Sequence, residues 1–229
     1  MRMGHSNTKI IRTSRKTIAL QIKDSGELLI RAPFWVSRDS LRSLMHKKQS
    51  WIDKKRQFVK QRNKYRVEKR FIDGETFLYL GQAYKLRIIP SHPLGLFLDS
   101  EFLLSQPCLK FARDLFIKWY REEAKKKIKQ RVDLYSSKIG ASYNKINITC
   151  ARGRWGSCSM KGNLNFAWRL IMAPLEIIDY VVVHELIHLT EKNHSRNFWE
   201  KLEGLFPNYR SCKQWLREKG YLLDIYLRK

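Results

Sequence analysis

Acidic residues are in short supply: 21 Asp and Glu stand against 46 Lys and Arg in 229 residues, a formal net charge of +25. That deficit argues against a dense carboxylate cluster for magnesium. No GxxxxGKS/T stretch occurs, which excludes a nucleotide-binding phosphate loop of that kind. The four cysteines, Cys108, Cys150, Cys158 and Cys212, include no CxxC and no close pair. They read as reduced thiols, and their spacing argues against a structural four-cysteine zinc site. No apolar run approaches the roughly 20 residues that cross a bilayer, and the opening MRMGHSNTKI lacks the apolar core of a secretion signal. The expectation is a soluble, cytoplasmic protein with no membrane span. Internal repeats and Pro/Gly/Ser-rich linkers are missing as well.

What the chain does have is enough apolar material for a core, 43% hydrophobic and 12% aromatic residues. Its positive charge is concentrated early: residues 1–70 hold 20 basic and 5 acidic side chains, a net of +15. Such a surface attracts polyanions, so a nucleotide or nucleic acid is a possible partner. The basic stretch from Ser37 to Arg62 and KQRNKYRVEKR, with Trp51, Phe58 and Tyr65 interleaved, is where nucleic acid would bind.

The pattern of elements is α+β. KTIALQIKDSGELLIRAP reads as two strands around Asp24-Ser25-Gly26. Ser37 is placed to cap a helix that runs to about Arg62. TFLYLGQAYKLRIIP and LGLFLDS supply further short strands, turning at Gly81-Gln82 and around Pro93 to Gly95. From Pro107 to about Ile139, apolar residues recur at Ala112, Phe116, Tyr120, Ala124, Ile128, Val132, Tyr135 and Ile139, one buried helical stripe ended by Gly140. KINITC is strand-like, and RWGSCSMKGNLNFAWRL reads as two strands separated by Met160-Lys161-Gly162. The character of the elements changes near residue 105. This predicts a basic N-terminal α+β module over 1–105, a mixed α/β unit, and a second domain over 106–229.

VVVHELIHLTEKNHSRNFW, residues 181–199, carries the chemistry. Pro174 opens an apolar helical pattern that continues through His188. At about 3.6 residues per turn, His184 and His188 stack one turn apart on a single face, where two imidazoles can grip one ion. Glu185 lies beside them, near enough to take a proton from a metal-bound water, which is the HExxH arrangement. A third ligand cannot come from further along a straight helix, because seven residues advance about 10 Å. The chain must turn, and Asn193 tolerates the left-handed backbone that ends helices, so His194 can fold back to the ion. Glu191, Glu200 and Glu203 are competing third ligands. His5, His46 and His92 have no comparable neighbours.

RWGSCS, APLEIIDYVVVHELIHL, NHSRNFW and FPNYRSCKQWLREKG resemble the YgjP-like metallopeptidase domain, a bacterial zincin family related to the SprT type of protease. RTSRKTIALQI, LLIRAPFWVS, SWIDKK and GETFLYLGQAYKLRI look like its amino-terminal portion, so the resemblance spans nearly the whole chain. One departure stands out: Ala167-Trp168-Arg169-Leu170 replaces the family's frequent Asn-Trp-Arg-Leu. The resemblance implies a zincin-like metallopeptidase domain whose active-site helix packs on a small sheet. It also implies one Zn2+ held by His184, His188 and His194, with Glu185 as base, and a strand edge in RWGSCSMKGNLNFAWRL that aligns an extended peptide.

The function expected is therefore a zinc-dependent hydrolase, a metallopeptidase acting on peptide or protein through a zinc-bound water activated by Glu185. Arg154, Tyr180 and Tyr209 are the available oxyanion or substrate partners. A metal-dependent nucleotide phosphoanhydride hydrolase is the alternative chemistry, since an activated hydroxide also attacks phosphorus. A nucleic-acid-associated protein, or a protease acting on DNA-bound proteins, is the alternative from another class.

Overall fold

The computed structural model describes residues 7–64 and 69–224. His5, Tyr65 and the end of the basic segment at residues 65–68 lie outside the described residues. The chain divides into two compact units, Met1–Val67 and Glu68–Lys229.

In the first unit, β2 (Ala19–Ile22) and β3 (Leu28–Pro33) pair antiparallel around the Asp24-Ser25-Gly26 turn. Gly26 adopts φ +80 there, a conformation that glycine takes without steric cost. A strand not foreseen from sequence, β1 (Thr8–Thr13), pairs parallel to β3, giving the order β1-β3-β2. Leu28, Ile30 and Ala32 alternate onto one face and form a core with Leu41 of α1 (Arg38–Lys47) and Ile52 of α2 (Gln49–Lys64). The Ser37 hydroxyl caps α1 by accepting the Ser40 N–H at 3.1 Å. Where the pattern suggests one helix to Arg62, the backbone breaks at Lys48 (φ −104, ψ 11). No glycine or proline sits there, and nothing in the local sequence explains the break.

The second unit opens with β4 (Thr76–Tyr79), β5 (Gln82–Ile89), β6 (Leu96–Leu98) and β7 (Phe102–Ser105), in the order β4-β5-β7-β6. A short 3₁₀ segment leads into α3 (Ala112–Ile139), which Gly140 ends at φ +63. Ala112, Phe116, Tyr120, Ala124, Ile128, Val132 and Ser136 are buried in steps of four, while Tyr135 and Ile139 are only partly buried. Each large apolar member contributes about 1.5–3 kcal/mol by leaving water. Phe116 stacks on Phe77 of β4 at 4.1 Å between centroids and packs on Phe102 of β7 at 5.0 Å. The strands before residue 105 and the helix after it thus share one core, and this unit begins at Glu68.

Beyond α3 come β8 (Lys145–Thr149), β9 (Gly156–Cys158) and β10 (Asn163–Ala167), in the order β8-β10-β9. β10 runs parallel to β8 and antiparallel to β9, which leaves β9 at an edge. The helices α4 (Leu175–Ile187), α5 (Arg196–Leu205) and α6 (Tyr209–Lys219) complete the unit. Nearly every residue of α4 is buried, Asp179 included. Asp179 receives Nε and Nη2 of Arg131 on α3 at 2.5 and 2.7 Å and the Tyr135 hydroxyl at 3.2 Å, which fixes α4 against α3. The tip of the β4–β5 hairpin braces the start of α4: the Leu80 and Gly81 N–H groups donate to Ile171 and Met172 carbonyls at 2.9 and 3.1 Å. Among the described residues, no helix is long and apolar enough to cross a membrane.

Candidate metal centre and active site

His184 lies in the last turn of α4 and His188 caps its end, so the four-residue interval puts both rings on one side, 4.9 Å apart. The chain then reverses. Ser195 caps α5 by accepting the Phe198 N–H at 3.3 Å, and this turn brings His194 back to the other two. The His194 and His184 rings are 5.0 Å apart and the His194 and His188 rings 4.7 Å apart. One donor atom from each of the three lies within 4.8 Å of the others. Nε2 of His194 and Nε2 of His184 stand at 3.1 Å. Two nitrogens bound at about 2.0–2.1 Å to a tetrahedral zinc sit roughly 3.3 Å apart, so the donor set fits that ion.

The surroundings keep the imidazoles in the metal-binding form. Burial, reinforced by His188, His194 and Lys213, pushes His184 down to about 3, and burial with His188 and Lys213 also lowers His194. His184 is therefore neutral at ordinary pH, and the same surroundings favour the neutral form of His194. His188 Nδ1 lies 2.8 Å from the Glu191 carbonyl, a contact that makes Nδ1 the donor and frees Nε2 as ligand. The rival carboxylates are engaged elsewhere: Glu191 with Lys201 at 2.6 Å, Glu200 with Arg196 at 2.6 Å and Glu203 with Arg210 at 3.1 Å. His46 is exposed on α1, and His92 packs on Phe97 at 4.3 Å.

Glu185 is buried beside this cluster, and burial pushes it up to about 8 against the pull of Arg154 and of the Cys158 backbone N–H. A divalent cation nearby would draw that value down again. The carboxylate lies against β9 with no room to spare. A Cβ on Gly156 would stand 2.5 Å from Glu185 Oε1 and 2.6 Å from Cγ. The glycine of RWGSC is thus what allows Glu185 to reach the site.

Three aromatic residues complete the surroundings. Phe198 of α5 is fully buried, and its ring lies 4.9, 4.7 and 4.7 Å from those of His184, His188 and His194. Trp199 stacks on His194 at 5.6 Å, and Tyr209 stacks on Trp199 at 5.6 Å. Neither Phe198 nor Gly156 is singled out by the sequence; a small residue in a strand offers no local signal of a helix side chain pressed against it. Of the proposed oxyanion partners, Arg154 is exposed within electrostatic reach of Glu185. Tyr180 is buried with its ring 6.0 Å from His184. Tyr209 is one aromatic layer removed from His194, and its hydroxyl accepts from Arg210 Nε at 3.2 Å.

The sequence profile of the YgjP-like metallopeptidase domain matches residues 16–219 of this chain. The chain belongs to the YgjP-like family. Its α+β architecture and its metallopeptidase domain follow from that membership. No curated protein matches the chain. Among solved structures, the metallopeptidase zymogen of Pyrococcus abyssi abylysin is similar at a TM-score of 0.38 and 19% identity, over 41% of this chain and 95% of that one. The basic helices of this YgjP-like chain gain no assigned partner from these matches. Within them Trp51 is exposed and Phe58 is partly buried.

Proposed function

We propose that the protein is a zinc-dependent peptidase in which His184, His188 and His194 hold one ion and Glu185 is the general base. The observation that carries this reading is the convergence of three imidazoles beside a buried carboxylate in a chain of a metallopeptidase family. Zinc bound there supplies a Lewis acid that makes water a nucleophile near neutrality and polarises a carbonyl. The rest is the work of side chains. Glu185 accepts a proton from the attacking water and returns it to the leaving amine. Phe198 backs all three rings and keeps them from turning away. The Glu191 carbonyl holds His188 in the tautomer that leaves Nε2 available. Arg154 is the nearer candidate for a substrate or oxyanion contact, and Tyr209 the more distant. The catalytic residues proposed all lie within residues 106–229, inside the unit that begins at Glu68, and the cytoplasm is the proposed compartment.

The test combines metal analysis with turnover. Glu185→Gln should retain one zinc per chain and lose turnover by about 10²–10⁴-fold, the range for a general base. His188→Ala should lose metal and activity together. A panel of peptides, proteins and nucleoside triphosphates identifies the bond cleaved. Undiminished activity in Glu185→Gln removes the base from the scheme.

A further inference from the structure

Basic side chains are plentiful around the metal centre, but most are already neutralised. Between residues 191 and 210, Arg196 pairs with Glu200, Lys201 with Glu191 and Arg210 with Glu203, while Lys192 Nζ donates to the His188 and Leu189 carbonyls. Two cations differ. Lys213 and Arg154 are exposed; Lys213 is in no salt bridge among the described residues, and Arg154 acts electrostatically on Glu185.

Lys213 is held in place from an unexpected direction. Its Nζ lies 4.3 Å above the Trp199 ring, an arrangement in which the ring quadrupole fixes an ammonium without cancelling its charge. Trp199 in turn stacks on His194. The ammonium is therefore tied to a metal ligand through one indole, and its charge is felt at both His184 and His194. Arg154 stands on the other side of the site, in the loop before β9 and two residues before Gly156, which abuts Glu185. Lys213 thus keeps an uncompensated positive charge beside the imidazole cluster, and Arg154 has the buried Glu185 as its near carboxylate. The one carboxylate among the catalytic residues, Glu185, is buried and committed to proton transfer.

We infer that Lys213, with Arg154, selects substrates bearing a carboxylate side chain next to the scissile bond, which makes the enzyme a peptidase for acidic segments. This rests on the peptidase reading above. Lys213 is a specificity determinant here and takes no part in bond cleavage. An exposed ion pair of this kind changes kcat/KM by at most about fivefold, and exchanging the substrate charge doubles that on a logarithmic scale.

The test uses the zinc-loaded full chain and quenched peptides that are identical except for Asp, Asn or Lys at the positions flanking one cleavable bond. Wild type should prefer Asp over Asn by about fivefold and Asp over Lys by about 25-fold, with the preference shrinking as salt rises. Lys213→Glu should reverse the Asp-to-Lys order while zinc content stays at one per chain, and Lys213→Met should bring the ratio most of the way to unity. Cleavage with no charge preference, or with a preference unmoved in both variants, overturns the inference and leaves the peptidase reading standing. Failure to cleave any peptide, or hydrolysis of nucleoside triphosphates in its place, overturns both.

Discussion

Replacing Gly156 by alanine isolates the placement of Glu185 from its chemistry. The backbone at Gly156 lies outside the left-handed region, so alanine is allowed there, and the consequence is one of contact alone. The new methyl would meet Glu185 at 2.5 Å from Oε1, 2.6 Å from Cγ and 2.8 Å from Cδ, whereas Cβ contacts in proteins essentially never fall below 3.0 Å. Separation to between 3.0 and 3.4 Å therefore demands a retreat of about 0.5–0.9 Å. Neither side gives way easily. Glu185 is buried on a helix fixed by Asp179 and Arg131, and β9 is paired in register with β10. Misplacing a reacting group by about 1 Å costs on the order of 10²-fold. The kcat for a peptide substrate should fall roughly 30- to 100-fold with little change in KM, the pattern of an interaction made in the transition state. Overpacking lowers stability by about 1–3 kcal/mol, so the assay is run where circular dichroism shows both proteins folded, with bound zinc measured alongside. Turnover within twofold of wild type, at full zinc occupancy, would refute the claim that this contact positions the base.

Three further outcomes concern the scaffold. Asp179→Asn leaves Arg131 without its counter-charge at a largely buried site and should cost about 3 kcal/mol, read as a lower urea midpoint at unchanged slope. Gly81→Val places a β-branched residue at φ +82 with its Cβ 2.8 Å from Pro174 Cγ, and a loss of about 1–3 kcal/mol should appear in thermal unfolding. Phe198→Ala removes the ring behind all three imidazoles; it should cost about 3–5 kcal/mol of stability and weaken zinc about 10- to 100-fold in a competitive chelator titration.

Much of this architecture was legible because it obeys local periods. The stripe on α3 and the His184-Glu185-His188 interval both repeat with the helical turn, and Gly140 and Ser37 mark helix ends by their own chemistry. What escaped is non-local. β1 is defined by its parallel register with β3, twenty residues on, and β7 pairs with β6 from just beyond the strand read in LGLFLDS. The proximity of residues 76–105 to α3 arises from Phe77, Phe102 and Phe116 meeting in three dimensions, which no change of composition near residue 105 reveals. Lys213 and Trp199 belong to amphipathic helices, where one residue of each looks like any other exposed or half-buried member.

The carbon ring of Phe198 has a consequence for how the protein acquires its cation. In small domains stapled by zinc, the ligands come together only as the ion arrives, and stripping it unfolds the chain. Here a hydrophobic wedge lies against all three imidazoles, and the expected outcome is a socket that persists when the ion leaves. Removal and return of the ion should be reversible with no refolding step, and which divalent metal fills the socket in a cell is governed by supply together with the intrinsic order of imidazole affinities.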